Sequence, residues 1–344
     1  MKHVPDEFEI HMTSGWPALT EALKLKGCPL KPWLVERFPA QHTKTIFQRY
    51  KEAVGPIRVP ASTEPTGAGT GAIGGSFDHL VRFLVDPHPD VDLPAVGAQR
   101  FGGRMPTALA ELAARLGIPT PALDELDHDR PVPVFDGAHQ PTSRDPELVA
   151  RGCWALSLLT ELGRGVSPER SVLAMLDPAT VSGDDLLSLA SPAALDQLAA
   201  LREQAEAVLV PALATRTGTW SVGPTFTGSV LMNADADLIA AGTLVEIKTV
   251  LGSKRADGSR YATLDAKVLF QILGYALLDF HDEFTIREVA LFNARFGHLA
   301  IWNLQDLLDG AAGRPVELSS LRAEFEEFLR NEGEPVVEVR RAHV

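Results

Sequence analysis

The sequence predicts an α/β protein, a central mixed β-sheet flanked by helices with a large helical part on its N-terminal side. Three observations carry this. Two β-rich runs, ADADLIA and TLVEIKTV, flank Gly242 within residues 233–250, and a glycine between two such runs signals a hairpin. Residues 264–280 then carry apolar side chains at helical spacing, followed by two strand-like runs, 287–293 and 298–304, joined around Gly297. Before residue 215 the chain reads mainly as capped helical stretches separated by Pro and Gly.

Taken in order, residues 14–27 read as a short helix with Ser14 as cap, Pro17 in the first turn and Gly27 as the stop. Residues 31–54 read as a second helical stretch in which Trp33, Phe38, Phe47 and Tyr50 alternate with basic residues. Such aromatics can stack on bases, but more often they are core. Residues 69–74, GTGAIG, satisfy G-x-G-x-x-G. No buried strand precedes them and no βαβ unit follows, which excludes a dinucleotide site. A turn-rich lead into a helix starting near Gly75 is expected instead. Residues 106–117 form a helix opened by Pro106 and stopped by Gly117, and 118–146, rich in Pro and Asp, make a long surface connection.

Asp145 caps a strong helix whose first residue is Pro146, residues 168–190 read as small helical turns, and a helix over 192–213 is ended or bent by Pro211. The β-rich core begins at Thr217, with TFTGSVLMN as the strand entering the hairpin, and residues 319–331 form a C-terminal amphipathic helix before a fraying tail. The chain thus divides into residues 1–65, 66–214, 215–305 and 306–344.

A two-residue loop at Ala241-Gly242 sets Asp237 across from Glu246 and Asp235 across from Lys248, whereas a loop one residue longer would shift the register. Alternation puts Glu246 and Lys248 on one face of their strand and Val245 and Ile247 on the other. Like charges directly opposite destabilise a sheet, so two carboxylates held there imply a cation. Oxygen ligands without Cys or His suit a hard ion, Mg²⁺ or Mn²⁺. A lysine two residues from a ligand can orient an attacking water or stabilise charge building on a phosphate. The pattern D-x8-E-x-K therefore reads as metal-assisted phosphodiester cleavage. A solvated strand face would carry the same letters, and a carboxylate pair for glycoside hydrolysis is a further alternative. Gln271 and Tyr275, four residues apart, share one face of the following helix.

These residues resemble the PD-(D/E)xK nuclease superfamily, and Gln271-x-x-x-Tyr275 is similar to the signature of its RecB-like exonuclease branch. G-S-F-D-H at residues 75–79 resembles the G-(S/T)-x-x-H element of that branch. The resemblance covers mainly residues 215–305 and implies a restriction-endonuclease-like core. It also implies a metal held by Asp237, Glu246 and the Ile247 carbonyl, with Asp78 or His79, and Glu161, completing the shell; Glu203 and Glu206 are fallback acids. Lys248 would position the nucleophile, and Gln271 and Tyr275 would steady it or contact DNA. A role in DNA repair or in defence against foreign DNA follows from the family, as does the alternative of a non-catalytic nucleic-acid-binding or assembly module with the same fold.

Only Cys28 and Cys153 are present, too few for a disulfide scaffold or a four-cysteine iron–sulfur site. No signal-type start and no run of eighteen apolar residues appears, so a cytoplasmic protein without membrane association is expected. A net charge of −13 argues against coating DNA by bulk electrostatics and favours a partner protein that delivers or activates. A local basic track is then needed. Lys254, Arg255 and Arg260, after the E-x-K strand, are the better placed; Lys24, Lys26, Lys31, Arg37, Lys44, Arg49 and Lys51 are the second candidate.

Overall fold

The computed structural model describes residues 15–68, 70–86, 88–119, 134–136 and 144–332. The chain opens with α1 (Leu19–Ala22), α2 (Leu30–Arg37) and α3 (Ala40–Ala53), continues through α4 (Thr70–Val85), α5 (Asp92–Phe101) and α6 (Met105–Leu116), and adds a short strand, β1 (Val134–Asp136). Helices α7 (Pro146–Gly163), α8 (Gly183–Ser188), α9 (Pro192–Gln204) and α10 (Val210–Ala214) lead to strands β2 (Thr219–Val222), β3 (Leu238–Ala240) and β4 (Thr243–Lys248). A small hairpin of β5 (Ser253–Lys254) and β6 (Arg260–Tyr261) precedes α11 (Ala266–Leu278), β7 (Glu288–Asn293), β8 (His298–Asn303), α12 (Leu304–Ala312) and α13 (Leu318–Glu332).

The architecture is mixed α/β. One sheet runs in the order β1-β2-β3-β4-β7-β8. Its neighbours are antiparallel except β4 and β7, which are parallel. A parallel pair needs a crossover, supplied by the β5–β6 hairpin and α11. Both sheet faces are covered. On one, Leu238, Ala240, Val245, Ala290 and Phe292 pack with α4 to α10; on the other, Ile239, Leu244, Val289 and Leu291 pack with α1 to α3 and α11 to α13. Among the described residues no helix is long and apolar enough to cross a membrane.

Several boundaries differ from the sequence reading, each for a local reason. The first helix is confined to Leu19–Ala22, after Pro17, and Ser14 lies outside the described residues. Residues 31–54 are two helices, because Pro39 lacks an N–H and holds Phe38 out of helical geometry (φ −125°, ψ 73°). Trp33, Phe38 and Tyr50 are core. Helix α4 begins at Thr70, five residues before Gly75, so Gly71, Gly74 and Gly75 are helical. Val134–Asp136 pairs with β2 inside the expected connection, most of which lies outside the described residues, as does the C-terminal tail.

The expected helix over 192–213 runs on through a π-helical turn, Ala205–Leu209, that precedes Pro211. TFTGSVLMN is not a strand: β2 lies upstream, an isolated bridge of Thr225 to Asp235 ends the pairing, and the chain then forms a 3₁₀ turn at Thr227–Val230. Helix α12, started by Asn303 accepting from Asp306 N, was not expected.

The C-terminal helix is fastened through charge. Buried Arg322 donates to Ala276 O (3.0 Å), Asp279 Oδ2 (3.2 Å) and Asp282 Oδ1 (2.8 Å). Arg287 donates to Asp282 Oδ2 at 2.6 Å. Hydrogen bonds from Arg287, and then from Arg322, hold the Asp282 carboxyl down to about 2. Its folded value lies below the unfolded one, so its stabilisation is present above pH ~4 and is lost as pH falls toward 2. Asp282→Asn tolerates the same positive φ (55°) and should lower the denaturation midpoint at pH 7, the gap to wild type closing below pH ~4. An equal gap at both ends of that range would contradict this linkage.

Candidate functional site

The register depends on the hairpin turn. Ala241 and Gly242 both have positive φ, 47° and 79°, the primed two-residue turn that matches strand twist. Ala240 pairs with Thr243 and Leu238 with Val245. The two-residue loop expected from sequence is therefore present, and its register, continued outward, sets Asp237 against Glu246.

Beyond Leu238 the strands part. A continued ladder would join Ala236 to Ile247, but Ala236 N donates instead to Pro224 O at 3.0 Å, and Gly223 N donates to Asp237 O at 3.1 Å. Ile247 N is taken by the Asp237 carboxylate, whose Oδ2 accepts at 2.6 Å. The N–H and C=O of one strand residue point to the same edge. The Ile247 carbonyl thus faces the same gap as Asp237, without its ladder donor.

Glu246 is buried on the face turned toward α11. Lys248 Nζ donates to Glu246 Oε1 and, at 3.2 Å, to Gln271 Oε1. Gln271 Nε2 donates to the same Glu246 oxygen at 2.9 Å and to Tyr275 Oη at 2.8 Å. The Tyr275 ring is stacked on Phe226. Asp265 starts α11 by accepting from Val268 N, which fixes the helix phase that turns Gln271 and Tyr275 inward. Both donors converge on Oε1, and Glu246 Oε2 is buried without a partner.

Helix α4 closes another side. Its glycines permit the approach: a Cβ on Gly74 would lie 3.1 Å from Thr249 Oγ1, and one on Gly75 would lie 2.4 Å from Ser157 Oγ on α7. One turn later Asp78 accepts from Arg82 at 3.1 Å, and its Oδ1 is buried without a partner. Arg82 packs against Gly223, and Arg164 at the end of α7 pairs with Asp235 at 2.9 Å.

The electrostatics follow from this crowding. Burial, then Glu246 and Asp78, push the Asp237 carboxyl well above the usual range. Burial also raises Glu246, against the pull of Lys248. Burial works to lower Lys248, but Glu246 and Asp237 outweigh it and the ammonium is held. Tyr275 is pushed well up by burial and the surrounding carboxylates.

Of the residues expected from sequence, the fold brings together Asp237, Glu246, the Ile247 main chain, Lys248, Gln271 and Tyr275, with Asp78 beside them. His79 goes elsewhere. Thr160 Oγ1 donates its hydrogen to Leu156 O and lies 2.9 Å from His79 Nε2, so it accepts from a neutral His79 that ties α4 to α7. Glu161 is half-buried and shares no hydrogen bond or ion pair with the cluster, while Glu203 and Glu206 are exposed. Lys254 is exposed, Arg255 lies over Tyr261, and Arg260 donates to Gly252 O at 3.1 Å.

Sequence reading missed Arg82, Arg164 and Asn293. Only Arg82 had a local signal, its i,i+4 spacing from Asp78. Asn293 stands opposite Lys248 on β7 with Oδ1 buried and unpartnered. Among the described residues no group of three or more His, Cys, Asp or Glu side chains forms a ready cage for a metal. Two carboxylates and one main-chain carbonyl, with orphan oxygens on Glu246 and Asp78, nevertheless fit a hard ion that retains several waters. No family model matches this chain, and no curated protein or solved structure matches it.

Asp237→Asn keeps an acceptor for Ile247 N and removes one of the crowded charges. In EDTA it should be more stable than wild type by about 1–3 kcal/mol, and Mn²⁺ should raise the melting temperature of wild type only. An equal or lower melting temperature for the variant in EDTA would show that the cluster is not electrostatically crowded.

Proposed function

We propose that the protein is a Mg²⁺- or Mn²⁺-dependent deoxyribonuclease with a restriction-endonuclease-like core of the RecB-like kind. The observation that carries this reading is the meeting of half-buried Asp237 and buried Glu246 at the gap where β3 leaves β4, with Lys248 fixed beside them. Order along the chain supports it: a hairpin carrying D-x8-E-x-K, a helix carrying Gln271 and Tyr275, then a strand parallel to β4.

Asp237, Glu246 and the Ile247 carbonyl would hold the ion, with the free oxygen of Asp78 next to them. Such an ion supplies Lewis acidity, screening the scissile phosphate and easing deprotonation of the attacking water. Lys248 has three N–H donors, and Glu246 and Gln271 take two of them. The third is left for the attacking water or a phosphate oxygen. Gln271, itself held by Tyr275, fixes the lysine's direction, so both helix residues act by positioning.

Cleavage of end-labelled single-stranded, double-stranded and circular DNA with Mn²⁺ or Mg²⁺ tests the reading. Activity should require the metal and fall by about 10²–10³-fold or more in Asp237→Ala and Lys248→Ala. Full activity in a folded Lys248→Ala protein would overturn the assignment. Gln271→Ala should cost less than Lys248→Ala, since it removes a support and leaves the ammonium in place.

A further inference from the structure

The hairpin after β4 carries a charge pattern at odds with the acidic chain around it. Arg255 lies 4.7 Å and Lys51, from α3, lies 4.9 Å from the centre of the Tyr261 ring. Lys254 and Arg260 are cross-strand partners in the same hairpin. Next to them Arg295 is buried, and all its acceptors are neutral: Thr249 O (2.7 Å), Gln197 Oε1 (2.7 Å), Val59 O (3.1 Å) and Pro60 O (3.2 Å).

Burial and then Arg260 work against the Arg295 charge. Among the described residues none of these five cations forms an ion pair; Lys51, Lys254 and Arg255 are exposed, but Arg260 is half-buried and Arg295 buried, and most other cations at that depth have a carboxylate. The acid at the hairpin tip, Asp257, is turned to Ser259 at 2.7 Å. A buried guanidinium without a carboxylate, beneath like charges, is costly unless an anion visits the group. Through Thr249 the group adjoins Lys248.

Building on the nuclease reading, we propose that Lys51, Lys254, Arg255, Arg260, Arg295 and the Tyr261 ring form the track for a single DNA strand leaving the Asp237–Glu246–Lys248 cluster. Lys51, Lys254, Arg255 and Arg260 meet successive phosphates, and buried Arg295 adds its charge from beneath. The aromatic ring and the guanidinium held over it offer a flat surface to a base, which only an unpaired base can use, because duplex bases are already stacked on each other. Arg295, held rigidly by its four carbonyl acceptors, sets the charge nearest the cleavage centre.

The test is fluorescence anisotropy of the full chain with labelled oligothymidylate of about 30 nucleotides, and with a blunt duplex of the same length. Ca²⁺ replaces Mg²⁺, and probe integrity is checked on gels. Lys51 and Lys254 are exposed, so Lys51→Glu/Lys254→Glu should fold normally. Its oligothymidylate affinity should fall by about tenfold or more at ~0.1 M salt, and its salt slope should shrink by about 0.7 per lost contact. Tyr261→Ala should weaken the single strand by about fivefold or more and the duplex little, while Arg170→Glu, exposed and outside the group, should change neither.

Track variants that bind within about twofold of wild type, a wild type that binds neither probe, or a duplex held as tightly as the single strand would overturn the proposal. Cleavage with Mg²⁺, scored separately, keeps the readings apart. Binding through the track without cleavage defeats the nuclease alone, and cleavage with unaltered binding in the variants defeats the track alone.

Discussion

Everything at the centre of this molecule depends on the point where β3 stops pairing with β4. Had the ladder continued, Ala236 would have satisfied both main-chain groups of Ile247 and the gap would be closed. Pro224 O takes the Ala236 N–H instead, and Asp237 replaces a backbone acceptor with a carboxylate. A half-buried acid, Asp237, is thereby held against a buried one, Glu246, an arrangement that a sheet tolerates only with compensation.

The surrounding elements supply part of that compensation and leave part of it open. Lys248 and Gln271 saturate one oxygen of Glu246 and none of the other. Arg82 takes one oxygen of Asp78 and leaves the second bare. The glycines of α4 let that helix come close enough to Thr249 and Ser157 for Asp78 to add to the crowding instead of relieving it. Natural proteins retain such unfavourable groupings where function needs them, at a cost in stability.

The hairpin and the α11 face were legible because both rest on local rules. A two-residue turn fixes the partners of every strand residue near it, and i,i+4 spacing fixes which helix residues share a face. Glu246 could therefore be paired with Lys248, and Gln271 with Tyr275, from sequence; that the two pairs would meet was only what the family resemblance implied. Contacts across the chain could not. Whether Asp78 or His79 approaches the sheet depends on how α4 packs on α7, through Thr160, eighty-one residues from His79. The pairing of Arg164 with Asp235 and the placement of Lys51 over Tyr261 likewise follow from tertiary packing alone. The same holds for α4 itself, whose glycines read as a loop by propensity and are kept helical by the close contacts they allow.

On the proposed reading, the carboxylates at the strand parting hold a divalent cation. Diffraction from crystals soaked in Mn²⁺, with anomalous differences measured at the manganese edge, tests it most directly. One strong peak is expected in the gap, within coordination distance of Asp237, Glu246 Oε2 and the Ile247 carbonyl, at about 2.0–2.3 Å. A map with no peak there, or with manganese bound only at surface acids while the gap stays closed, would contradict it.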